Sequence, residues 1–208
     1  MPRDLDQALA EISAIRSQIA RTIVFRGFGP ATVALTAALA VAAAVAQATF
    51  LPAPRTDVVR YVTLWGATAI GCGVLVGVEM VARARRVHLT LANEMLWTAI
   101  EQFLPAAVAG GLLTVVLVRW VPEAAWMLPG LWQVTFSLGV FASCRFLPPP
   151  TFWVGAWYLT AGLATITLAR GTYAFSPVAM GSSFGVGQLL TAVILQVYRE
   201  EEDEDAEV

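Results

Sequence analysis

The chain has 208 residues, of which 58% are hydrophobic and 13% charged, with thirteen Arg, no Lys and a formal charge of −2. That is more apolar side chain than a soluble core absorbs, and it points to a bilayer instead. Seven of the fifteen acids lie in the last nine residues, so the remainder is basic; no nucleic-acid partner is expected.

Residues 4–26 read as an amphipathic helix outside the membrane. Leu5, Leu9, Ile12, Ile15, Ile19 and Ile23 recur at three- and four-residue steps and make one stripe. Asp6, Glu11, Gln18 and Arg21 make the run too polar to span. Such a helix lies on head groups, docks beneath the bundle, or recruits a cytoplasmic protein through residues 5–23. Gly27, Gly29 and Pro30 then break it.

Six apolar segments follow, at about 30–51, 60–82, 102–121, 126–147, 150–169 and 177–198, each near the roughly 20 residues a spanning helix needs. The expected fold is therefore an all-α membrane protein of six spans, with an acidic, disordered tail over 199–208. With the N-terminus inside, nine arginines fall on cytoplasmic segments and four on outer ones, which places both termini in the cytoplasm. Trp120, Trp126, Tyr61 and Tyr173 fall at the outer interface, and Trp97, Phe103, Trp153 and Tyr198 at the inner one.

Small residues recur four apart within the spans. Ala34, Ala38, Ala42 and Ala46 form such a row in the first, Ala69, Gly73 and Gly77 in the second, and Gly181 with Gly185 in the sixth. These rows are expected to let helix backbones approach closely, within one chain or in a homo-oligomer. Ala109–Val116 in the third span echoes Val186–Val193 in the sixth, a pattern that an inverted repeat also produces.

Ionisable groups at the edge of lipid are the candidates for chemistry. Glu79, Arg83, Glu94, Glu101 and Arg145 form a candidate polar cluster at the cytoplasmic mouth. Glu79 and Arg83 have the favourable helical order for a local ion pair, which is the structural alternative to a gate. His88, the only histidine, is a candidate pH switch, or simply a solvated loop residue. Gln133, Ser182, Ser183 and Gln188 are midplane polar candidates, lining a path or bonding helix to helix.

Metal and nucleotide motifs are absent from the sequence. One histidine excludes bis-His haem within a chain, and Cys72 and Cys144 lack metal or disulfide spacing, so no cofactor is expected.

Four stretches carry a resemblance. They are Phe25-Arg26-Gly27-Phe28-Gly29-Pro30, Gly77-Val78-Glu79-Met80, Ala99-Ile100-Glu101-Gln102-Phe103-Leu104-Pro105, and Phe141-Ala142-Ser143-Cys144-Arg145-Phe146-Leu147-Pro148. They resemble a group of uncharacterised bacterial multi-span membrane proteins, over nearly the whole chain. The resemblance implies the bacterial inner membrane and carries no activity.

Three functions are compatible with these residues. The first, and the one these residues favour, is passage of a small solute or ion through a homo-oligomeric bundle, with Glu79 and Glu101 gating a carboxylate-lined mouth and Gln188 lining the middle. The second is a non-catalytic sensor or scaffold that recruits a cytoplasmic partner. The third is a membrane enzyme acting on lipid head groups.

Overall fold

The computed structural model describes residues 29–54, 56–87, 90–144, 147–170 and 173–207. The amphipathic helix expected over 4–26, His88 and Arg145 lie outside the described residues, as does the side chain of Glu94. The described residues form six α-helices: α1 (Pro30–Phe50), α2 (Val58–Val87), α3 (Thr90–Arg119), α4 (Leu128–Ser143), α5 (Thr151–Leu168) and α6 (Pro177–Glu207). A short 3-10 helix, Pro122–Met127, leads into α4. All six helices contain, or with that 3-10 turn form, a segment long and apolar enough to cross a membrane.

Proline and short polar side chains set most of the boundaries. Gly29 is extended (φ −90°, ψ 156°) and Pro30 opens α1, where its missing N–H costs nothing. Asp57 caps α2 by accepting the Arg60 N–H at 3.1 Å. Pro148, Pro149 and Pro150 form the turn that leads into α5, which starts at Thr151. Pro105 lies inside α3, as transmembrane helices tolerate. The tail read as disordered instead continues α6 as helix through Glu207. Glutamate is a good helix former, and a preformed helix extends more easily than a new one nucleates.

Each helix packs against its neighbours in sequence, and α6 returns to close on α1. The tightest pairs are α1 with α6 and α4 with α5; α2 and α3 touch only lightly. The largest core lies at one end of the bundle, where the 51–57, 120–127 and 169–176 connections gather. There Tyr61 and Trp65 of α2 meet Ala43 of α1, Leu128 of α4, Phe175 and Met180. Tyr61 stacks on Trp132 at 6.0 Å and meets Phe175 edge-on at 4.7 Å. A second cluster surrounds Tyr158 of α5, with Phe136 of α4 and Phe184 of α6 on it.

The rows of small residues behave differently from one another. Gly181 and Gly185 of α6 do face α1, at Ala44 and Val41. In α1 the buried face is Val33, Ala37, Ala40, Ala43 and Gln47, not the row Ala34, Ala38, Ala42 and Ala46. In α2 a side chain added at Gly73 or Gly77 would meet none of the described residues within 4 Å. Helical periodicity identified the spacing but left the inward angle open, because lipid offers both faces the same apolar surroundings.

Candidate functional site

At one end, Glu79 of α2 ties two helices together. Its Oε2 accepts the Gly29 N–H at 3.1 Å, the first free donor of α1. Its Oε1 accepts from Arg83 Nε at 2.8 Å and lies 2.7 Å from the second guanidinium nitrogen. Thr32, in the first turn of α1, faces the same carboxylate. A negative charge thus rests on the positive end of the α1 dipole, while Arg83, four residues along α2, balances it. Gly29 fits because a Cβ there would run into the Arg83 guanidinium.

Of the expected cytoplasmic cluster, then, the structure brings together Glu79 and Arg83, and adds Gly29 and Thr32. Glu101 is exposed on α3 and pairs with none of the described residues. Glu94 lies on the first turns of α3.

The midplane candidates separate into three arrangements. Gln133 of α4 is fully buried, at 0% exposure. Its amide nitrogen donates to the Ala179 carbonyl at 3.3 Å and approaches Met180 Sδ at 3.7 Å; its oxygen accepts from Thr165 at 3.3 Å. Ser183 donates to the same Ala179 carbonyl at 2.6 Å, and the Ser183 carbonyl accepts from Trp157 Nε1 at 2.9 Å. Together these bonds lock α4, α5 and α6, as buried polar side chains in lipid do when partners lie on neighbouring helices. Ser182, by contrast, faces outward beside α1 and bonds its own helix at Val178.

Gln188 of α6 is half-buried and faces the Tyr158 hydroxyl, with Cys72 of α2 nearby. That hydroxyl lies against Gly187 and completes no hydrogen bond. Tyr61 and Ser137 carry the other buried side-chain oxygens without a partner among the described residues.

Two features escaped the sequence reading. Gln47 of α1 is 1% exposed, donates to the Phe175 carbonyl at 2.6 Å and accepts from Trp65 Nε1 at 2.8 Å. Phe175 sits at φ 61°, a strained conformation for an aromatic residue, and its carbonyl is held by that amide. A lone glutamine in an alanine-rich span carries the same signal as Gln133 and marks this site on the same rule. Tyr158 gave no such signal, since tyrosine is ordinary at interfaces.

Among the described residues no group of three or more His, Cys, Asp or Glu side chains is placed to hold a metal. Compared with family models, with curated proteins and with solved structures, the chain matches none.

Proposed function

We propose that this chain is a non-catalytic scaffold of the bacterial inner membrane, with both termini in the cytoplasm, that presents its N-terminal helix to a soluble partner. The observation that carries this reading is Gln133: this polar side chain is fully buried and bonds helix to helix. A conduit needs such a group on a wet surface. The clamp at Glu79 supports the same reading, because it fixes the start of α1, where the N-terminal segment joins, against the end of α2. The excess of arginine on alternate connections supports the orientation.

The test is photo-crosslinking from Ile12 and Ile19 in intact membranes. The scaffold reading expects adducts to a soluble protein that disappear with Ile15→Asp. Adducts only to the chain's own bundle or to lipid would overturn it.

A second reading, passage of a small solute or ion, draws on one arrangement. The Tyr158 hydroxyl, buried without a partner among the described residues, faces the half-buried Gln188 side chain across α5 and α6. Flux in proteoliposomes that Gln188→Leu abolishes would favour passage over the scaffold.

A further inference from the structure

The light contact between α2 and α3 leaves a groove of about 520 Å³. Val74, Gly77, Val78 and Val81 of α2 and Ile100 of α3 line it, and Arg85 stands at one end. The groove is apolar along its length and cationic only there.

Two neighbouring arginines divide the work. Arg83 is held by Glu79. Arg85 is exposed and has no carboxylate partner among the described residues. It lies just beyond the apolar span, which ends at Arg83, and so at the depth of head-group phosphates. From Val74 to Arg85 the helix rises about 16 Å, close to half of a roughly 30 Å hydrocarbon core. The groove therefore runs the depth of one leaflet, with its charge at the surface.

We propose that this groove seats a single anionic phospholipid, its phosphate on the Arg85 guanidinium and one acyl chain along Val81, Val78 and Val74. Guanidinium and phosphate are complementary in charge and geometry, and a basic residue between spans is the recognised chemistry for an anionic head group. Gly77 gives the acyl chain room, since none of the described residues stands within 4 Å of where its side chain would be. The lipid seat stands whether or not the N-terminal helix recruits a partner.

Native mass spectrometry of the full chain, released from micelles with phosphatidylglycerol or phosphatidylcholine, tests this. Wild type is expected to keep one phosphatidylglycerol in preference to phosphatidylcholine. Arg85→Gln should reduce that preference about fivefold, the effect of one cation near the head groups. Gly77→Phe should remove the adduct with either lipid, and Val74→Trp should do the same from an exposed position should Gly77→Phe fail to fold. Gly111→Phe is the matched control: it is also free of neighbours within 4 Å, but lies on α3 outside the groove, and should change neither adduct. The lipid seat is overturned if Arg85→Gln keeps the full preference, or if the groove-filling variants alter subunit stoichiometry and leave lipid occupancy intact.

Discussion

Gly130 of α4 and Gly162 of α5 bring two backbones together, whereas a Cβ at Gly71, Gly73 or Gly77 of α2 would meet none of the described residues within 4 Å. A Cβ at Gly130 would lie 2.7 Å from the Gly162 carbonyl oxygen, and one at Gly162 would lie 2.8 Å from that of Gly130. Burial follows the same division: 44% of the fourth span is buried, against 11% of the second and 6% of the third. Small residues in lipid permit close approach but do not drive it, because the acyl chains around them are as apolar as a neighbouring helix. At the α4–α5 seam Thr165 donates to Gln133, and Gln133 and Trp157 reach on to α6, so buried polar bonds reinforce the close approach.

The sharpest way to break this contrast is Gly162→Leu, which drives a side chain into the α4 backbone. It should cost about 3 kcal/mol, the upper range for overpacking, read as a lower midpoint in detergent-denaturant unfolding. Gln47→Leu comes next. It strips partners from Trp65 and from the Phe175 carbonyl, and should cost about 2 kcal/mol in the same titration. Glu79→Ala should cost about 1 kcal/mol by uncapping α1, a loss that shrinks as salt screens the charge on the helix dipole. The Arg83 contribution is smaller, since that side chain is 42% exposed. At the other extreme, Gly73→Ala should lie within about 0.5 kcal/mol of wild type, as a surface change does. A loss as large as that of Gly162→Leu would mean that a partner helix covers α2.

Hydropathy marked six apolar segments because a span must be apolar through its whole length, and such runs survive any choice of packing angle. The pair Glu79 and Arg83 was legible for a similar reason, since four residues on a helix place two side chains together without help from the fold. The Gly29 N–H on that carboxylate was not legible, because it depends on where α1 begins relative to α2, fifty positions along the chain. Gln133 was recognisable as a polar group needing partners, yet Ala179, Met180 and Thr165 come from helices whose adjacency no local pattern encodes. The face of α1 buried within the chain was not legible for the complementary reason: alanine occupies most of that helix, so spacing alone does not single it out.

The partners of Gln47 also bear on how the protein is made. Trp65 lies 18 positions downstream and Phe175 128 positions downstream. Synthesis delivers α1 first, so its amide can satisfy one bond soon after α2 enters and must await nearly the entire chain for the other. The close partner of α1, α6, likewise emerges last. Until α6 arrives, α1 is therefore held by α2 alone, and half of the Gln47 amide waits without its partner.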